Sequence, residues 1–392
     1  MNFALNDEQR ATQELTRDFA EREIAPHVLE YTRSKSMPFG IVRKMAEVGL
    51  LGGRIPEAYG GAAMDYLTFA LVQEEISRVD HVMGQVVSNP SGMAGTSLLR
   101  FASEELRQRY LVPMVKGEIF MGTAITEPHG GTDAAHVETT AHRQGDHYLL
   151  NGRKVFISFS DLAKAFVAFA ATDKSLGNRG VSAFIVPSDA AGFTGRRFEH
   201  VMFNQVTGRG ELIFEDCVVP ADHLLGEEGD GFKVMTAALN TGRLSVASRM
   251  VGLSQGCLDA SVDYAKERVV FGQPIGRFQL VQSMITDMLV GTRTARFLYY
   301  HLAWLLEQNQ PAPQEAAMAK LYASDIAFRS ASDAVQIHGA YGCTEEYLIE
   351  RRFRDAKAYQ IGEGNNQFLR ALIAEFALGF RGRGLKSGGR SS

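Results

Sequence analysis

The chain has 392 residues, 45% of them hydrophobic and 22% charged, with a formal net charge of −4 and a pI near 6.2. That is the make-up of a soluble globular protein with room for two or three domains. The mild acidity argues against an electrostatic nucleic-acid binder, and no apolar run approaches the roughly 20 residues of a membrane span. Cys217, Cys257 and Cys343 are far apart and in no ligand spacing, which excludes a disulfide scaffold and fits a reducing compartment. The histidines are scattered and no HExxH pattern occurs, so no metal is expected. The N-terminal residues carry neither a signal h-region nor a transit-peptide pattern, and cytoplasm is the expected location.

The first third reads as helices. Asn6 and Gln9 offer a capping pattern, and Leu15, Phe19 and Ile24 form an apolar stripe that stops at Pro26. Amphipathic segments follow at about 39–50, 64–79, 90–102 and 104–116, separated by Gly-rich joints. Near Gly117 the period changes to two. Val137, Thr139 and Ala141 lead to a turn at Arg143–Asp146, and Tyr148, Leu150, Val155 and Ile157 continue the alternation. Val181, Ala183 and Ile185, then Leu212 and Phe214, repeat it up to Pro220. Short alternating strands joined by Gly/Asp/Asn turns predict an antiparallel β-barrel or sandwich.

From Gly231 the helical period returns, over about 231–269, from Pro274 to about Glu307, over 314–338 and over 364–381. The expected fold is therefore α+β and multidomain: a helical domain at 1–120, a β-domain at 121–230, a helical bundle at 231–381, and a disordered tail at 382–392. Just before the last helix stands Gly362-Glu363-Gly364. Glycine on both sides lets backbone or ligand come close to a carboxylate. By itself this is also how an acidic helix start looks, in the first turn where the macrodipole favours it.

Four stretches together resemble the acyl-CoA dehydrogenase family of flavoproteins, over essentially all of residues 1–380. They are Thr126-Glu127-Pro128-His129-Gly130-Gly131-Thr132-Asp133, Phe156-Ile157-Ser158, Arg268-Val269-Val270-Phe271-Gly272-Gln273-Pro274-Ile275, and Gln336-Ile337-His338-Gly339 followed by Gly362-Glu363-Gly364. The resemblance implies an FAD bound without a GxGxxG turn, none of which opens a βαβ unit here. It places backbone at Ile125 and the Thr126 hydroxyl at the flavin ring edge, and Gly131 and Thr132 at the pyrophosphate, with Thr132 also facing substrate. Phe156 would lie against the ring and Ser158 near N5, the atom that receives hydride. Alone, Phe156 is an ordinary strand residue and Thr132 an ordinary turn residue. Arg268, Phe271, Gln336 and Gly339 are implied to reach the flavin of a neighbouring subunit, which makes the protein a homotetramer, a dimer of dimers. Asn365 and Gln367 complete the implied cofactor contacts.

Glu363 matches the family's base, with Arg243, Gly362 and Gly364 on the substrate side. Free glutamate, with a pKa of about 4.3, is too weak for a carbon acid. Burial by acyl chain and flavin raises it, and each donor to the thioester oxygen is worth roughly 3–4 kcal/mol. The implied reaction converts an acyl-CoA into the trans-2-enoyl-CoA, with electrons passed to an electron-transferring flavoprotein.

Departures from the pattern carry information. Gly242 stands where some branches put the base, so Glu363 is the matching candidate. Glutamate rather than aspartate at that position disfavours nitroalkane oxidation. Gly362 and Asn365 replace the Tyr and Thr that members often carry, and loss of the aromatic wall implies a branched, cyclic or aryl-bearing acyl group. No arginine lies near Gly84, which argues against a dicarboxylic substrate. A dehydrogenase of acyl groups on a carrier protein fits the same residues. A non-catalytic flavin-binding homologue fits less well, given the acidic balance and an intact Glu363.

Overall fold

The computed structural model describes residues 4–134 and 136–381, the Asn240 side chain aside. The expected tail at 382–392 lies outside the described residues. Two compact units emerge: Met1–Gln9 with Asp65–Arg78 and Arg243–Ser392, and Arg10–Met64 with Val79–Gly242.

Helices open the chain: α1 (Asp7–Phe19), α2 (Val28–Ser34), α3 (Phe39–Glu47), α4 (Tyr66–Ser91), α5 (Met93–Phe101), α6 (Glu104–Leu106) and α7 (Val112–Val115). The cap at Asn6 forms as read. The Gln9 N–H donates to Asn6 Oδ1 at 2.7 Å, and the Asn6 N–H donates to Gln9 Oε1 at 3.1 Å. The segment expected over 64–79 runs on to Ser91 through a kink at Asp80 (φ −147°, ψ 113°). There the carboxylate accepts from the Val82 N–H and the Tyr31 hydroxyl, replacing part of the helical ladder. The expected helix over 104–116 is interrupted by a wider turn at Arg107–Leu111, just before Pro113, which brings no N–H to the ladder.

A seven-stranded sheet follows, from β1 (Met121–Ala124), β2 (Thr140–Gln144), β3 (His147–Ile157), β4 (Ala165–Ala171), β5 (Val181–Pro187), β6 (Phe193–Arg197) and β7 (Gly210–Pro220). Its order is β1-β4-β2-β3-β7-β6, with β5 on β4. The β2–β3, β3–β7, β4–β5 and β6–β7 pairs are antiparallel. The pairs β1–β4 and β2–β4 are parallel, so the sheet is mixed rather than wholly antiparallel. Strand β4 carries no period-two signal because all seven of its residues are buried. A strand covered on both faces reads as a continuous apolar run. Leu98, Tyr110, Leu111 and Met114 pack against Val167, Phe169 and Ile185 of this sheet. Each buried side chain of that size contributes about 1.5–3 kcal/mol.

The other unit is helical: α8 from Arg243 onward (the helix spans Gly231–Glu267), α9 (Gln279–Glu307), α10 (Pro313–His338), α11 (Ile349–Tyr359) and α12 (Asn366–Ala377). A small hairpin, β8 (Val269–Val270) and β9 (Gln273–Pro274), precedes α9. The α10 core face is mostly alanine, and Leu369 and Leu372 of α12 cluster with Ala317 and Leu321. Helix α11 gives no apolar stripe in the sequence because its buried face includes the ion pair Arg351–Asp355. The last helix starts later than expected. Glu363 (φ 55°) and Gly364 (φ 93°) are both left-handed, and Asn365 is extended. Glu363 is thus not a first-turn acid: it lies outside the helix, two residues before the cap.

Candidate active site

The β-unit presents one group of the predicted residues. Strand β3 pairs Val155 with Glu211 and Ile157 with Gly210 of β7, leaving Phe156 as an unpaired extra residue. Such a bulge turns a side chain out of register. Phe156 accordingly has φ 59° and is 58% exposed, with the Phe198 ring edge-on at 5.4 Å. A left-handed backbone at a bulky residue costs of order 1–3 kcal/mol. The strain holds an aromatic face open, which fits the stacking of a planar ring. Next to it, the Ser158 hydroxyl accepts from Gln85 Nε2 at 3.0 Å, while Gln85 Oε1 accepts from Asn204 Nδ2 at 2.7 Å. Ser158 keeps its own O–H proton to donate.

The loop after β1 is fixed from beneath. The Thr126 carbonyl accepts from the Val155 N–H at 2.9 Å, tying this predicted ring-edge residue to the bulged strand. Ile125 is half-buried, and its carbonyl lies 3.4 Å from Lys154 Nζ. Lys154, wholly buried, pairs with Glu127 at 2.6 Å. Glu127 also accepts from the Glu138 N–H (2.7 Å), the Thr139 N–H (3.0 Å) and the Thr139 hydroxyl (2.5 Å). Together with Lys154, these donors hold its carboxyl below the usual range against the opposing effect of burial, and burial draws Lys154 down to about 8. A Cβ on Gly131 would stand 3.0 Å from the Thr126 side chain, so this close approach suits glycine. Thr132 is exposed on the same loop.

The helical unit presents the second group. Glu363 Oε1 lies 3.9 Å from Arg249 Nη2, and Glu363 Oε2 is buried with no hydrogen-bond partner among the described residues. Arg243 is 8% exposed, its Nε also lacks a partner, and its guanidinium feels the Glu363 charge. Arg249 bonds the Ser245 carbonyl (3.2 Å) and the Tyr359 hydroxyl (2.8 Å). Wholly buried Lys320 donates to the Gly364 carbonyl at 2.7 Å and to Asn366 Oδ1 at 2.9 Å, pinning the loop that carries Glu363. Burial lowers Lys320 to about 7, with Glu363 pulling upward and Arg243 downward. A Cβ built on Gly362 would meet nothing nearer than the Ala358 carbonyl at 3.5 Å, so its side is open. Asn365 Oδ1 caps α12 by accepting from the Phe368 N–H at 2.8 Å, and Gln367 is exposed.

Phe271 (φ 52°) and Gly272 (φ 78°) form the two-residue turn between β8 and β9, and Phe271 is 93% exposed. Both angles are those of a tight hairpin turn. Arg268 sits 5.9 Å from the Tyr341 ring, which brings this hairpin to the end of α10, where Gln336 and Gly339 are exposed.

The structure thus gathers Glu363, Arg243, Gly362 and Gly364 in one place, and Arg268, Phe271, Gln336 and Gly339 around another. Arg249, Lys320 and the Glu127–Lys154 pair were not singled out from sequence. Lys320 carried a usable signal, since it falls on the buried Ala316–Ala323–Ala327 face of α10 where a lysine requires partners.

Family models described as the acyl-CoA dehydrogenase N-terminal, middle and C-terminal domains match residues 6–118, 122–217 and 229–378. An acyl-CoA dehydrogenase of Bacillus subtilis is 40% identical over 96% of this chain and 99% of its own. The caffeyl-CoA reductase-Etf complex subunit CarC of Acetobacterium woodii is also 40% identical, over 95% of this chain and 99% of its own. The solved butyryl-CoA dehydrogenase of Megasphaera elsdenii matches with a TM-score of 0.92 at 36% identity, covering 96% of this chain and 100% of that one. The chain belongs to the acyl-CoA dehydrogenase family and is an oxidoreductase acting on CH–CH bonds.

Proposed function

We propose that the protein is an FAD-dependent acyl-CoA dehydrogenase for branched, cyclic or aryl-bearing acyl groups, with Glu363 as its base. The observation that carries the substrate reading is the open side of Gly362, one residue from that base. Its φ is not left-handed, so nothing in the backbone demands glycine, and the absent side chain serves space. A relative named for caffeyl-CoA, the thioester of an aryl-bearing acyl group, supports the same reading.

The residues present fit a flavin. Phe156 on its strained bulge offers a ring face, Ser158 a hydroxyl donor, and Ile125, Thr126, Gly131 and Thr132 a backbone-rich loop. When bound, FAD supplies the hydride acceptor for the β-carbon. Glu363 removes the proton from the carbon beside the thioester carbonyl, and its unpartnered Oε2 is free to take it. Lys320 and the two flanking glycines hold that carboxylate in place. Asn365 and Gln367 are assigned to the cofactor side, and Arg243 and Gly364 to the substrate side.

Arg268, Phe271, Gln336 and Gly339 are proposed to reach the flavin of a neighbouring chain in a homotetramer. The near-complete exposure of Phe271 supports this. An electron-transferring flavoprotein is the proposed acceptor, in keeping with a relative that is a subunit of an Etf complex. The segments 1–120, 121–230 and 231–381 are the proposed domains. No described helix is long and apolar enough to cross a membrane, and a cytoplasmic location is proposed.

Anaerobic bleaching of the bound flavin by butyryl-, octanoyl-, cyclohexanoyl- and phenylpropanoyl-CoA tests the reading. Bleaching is expected to be fastest with the bulky acyl groups. A clear preference for butyryl-CoA overturns the substrate assignment, and bleaching by none of a broad panel overturns the activity.

A further inference from the structure

Arg249 has donors that no described residue around it uses. The side chain is 2% exposed. Its Nε is bonded to the Ser245 carbonyl and its Nη1 to the Tyr359 hydroxyl, with the guanidinium 4.9 Å from the Tyr359 ring centroid. Among the described residues Nη2 meets only Glu363 Oε1, at 3.9 Å, which is too far for a hydrogen bond. A guanidinium carries five N–H donors in a planar fork, and the Nη2 pair remains unspent. Two further polar atoms close by are buried without partners among the described residues, Arg243 Nε and Glu363 Oε2. Two buried guanidiniums therefore face a single carboxylate. An excess buried cation costs several kcal/mol unless an anion or strong acceptor meets it.

We propose that Arg249 is a specificity-determining residue that receives a hydrogen-bond acceptor carried by the acyl group itself, a carboxylate being the strongest such acceptor. This rests on the assignment of Glu363 as the base. A substrate whose α-carbon lies against the Glu363 carboxylate brings the next few acyl carbons within reach of a guanidinium 3.9 Å from that carboxylate. The fork geometry of arginine matches a carboxylate bidentately and a carbonyl singly. No arginine stands near Gly84 in the sequence, whereas α8 supplies a guanidinium beside Glu363. The bulk admitted beside Gly362 and the acceptor received by Arg249 are separate features of one acyl group, so the two readings are compatible.

The test uses three acyl-CoAs of nearly equal shape on the flavin-loaded enzyme: 5-methylhexanoyl-CoA (apolar end), 5-oxohexanoyl-CoA (neutral acceptor) and glutaryl-CoA (carboxylate). The parent protein is expected to favour an acceptor-bearing compound over 5-methylhexanoyl-CoA by tenfold or more in kcat/KM. The ratio for that compound should fall by on the order of 100-fold in Arg249→Met, with Arg249→Lys in between. The rank of glutaryl-CoA against 5-oxohexanoyl-CoA then tells a carboxylate from a neutral acceptor, and both orders support the proposal. A parent that favours the apolar compound overturns it, as does a ratio unchanged in Arg249→Met. If Arg249→Met does not retain flavin, the parent ratio and Arg249→Lys decide. Equal bleaching by all three compounds removes only the role of Arg249. Bleaching by none of these or of the wider panel removes Glu363 chemistry itself.

Discussion

Replacing Glu127 with glutamine removes one charge from a pair that is almost sealed from water, with side-chain exposures of 3% for Glu127 and 0% for Lys154. Shape is retained, but Lys154 is left as a buried cation 2.6 Å from a neutral amide. The carboxylate also accepts from the Glu138 N–H, the Thr139 N–H and the Thr139 hydroxyl. Glutamine offers one acceptor oxygen and turns an NH2 toward part of that set. Leaving a buried charge unpaired costs about 3–5 kcal/mol. The E127Q variant should lose that much in urea denaturation of the flavin-loaded chain at pH 7, followed by circular dichroism. Adding K154M removes the stranded ammonium, so the double variant should recover at least about half of the loss, a coupling typical of residues in contact. Flavin retention should weaken in E127Q as well, since Lys154 reaches the Ile125 carbonyl and Thr126 is bonded to the next residue of β3. The sign with pH follows from the lowered Glu127 carboxyl. A depressed acid contributes stability above its unfolded pKa of about 4.5 and loses it as pH falls through the folded value. The parent should therefore weaken more steeply than E127Q between about pH 5 and pH 3. A loss below about 1 kcal/mol in E127Q, or strict additivity with K154M, would refute the view that this pair supports the ring-edge loop.

Three further outcomes are expected. E363Q should keep its flavin spectrum yet slow reduction by acyl-CoA by on the order of 10²–10⁴-fold in anaerobic stopped-flow, the range of a lost general base; near-parental reduction would exclude Glu363. G362Y should fold normally, because an added Cβ meets only the Ala358 carbonyl at 3.5 Å. It should shift kcat/KM from phenylpropanoyl- toward butyryl-CoA by about 10–200-fold, and an unchanged ratio would show that this side does not face substrate. K320M removes the Lys320 bond to the Gly364 carbonyl and leaves Asn366 Oδ1 with only the longer bond from the Ser324 hydroxyl among the described residues. It should slow flavin reduction by roughly 100-fold, the effect of a misplaced base, while acyl-CoA binding changes less; equal losses in both would make Lys320 merely structural.

Much of this protein was legible along the chain because the signals were local. The Asn6–Gln9 cap depends on residues three apart, and the 143–146 turn on its own composition. The change of period near Gly117 marks where one backbone geometry gives way to another. Four short motifs in order identified the family, and they make Glu363 the proposed base.

Other features exist only when distant segments meet. Strand β4 is apolar throughout because sheet and helices cover both its faces, so no alternation could announce it. Helix α11 hides behind an internal ion pair. The left-handed Glu363 sits on a loop that Lys320 from another helix bonds at the Gly364 carbonyl and that leads into the cap at Asn365, and no local propensity for a glutamate predicts it. The same holds for the charge around Glu363. Arg243, Arg249 and Lys320 are ordinary cations in the sequence, on helices whose register alone says they are near the core. Folding deprives them of water and turns them toward one carboxylate, and only then does a shortage of acceptors among the described residues come into view, the feature on which the proposal for Arg249 rests.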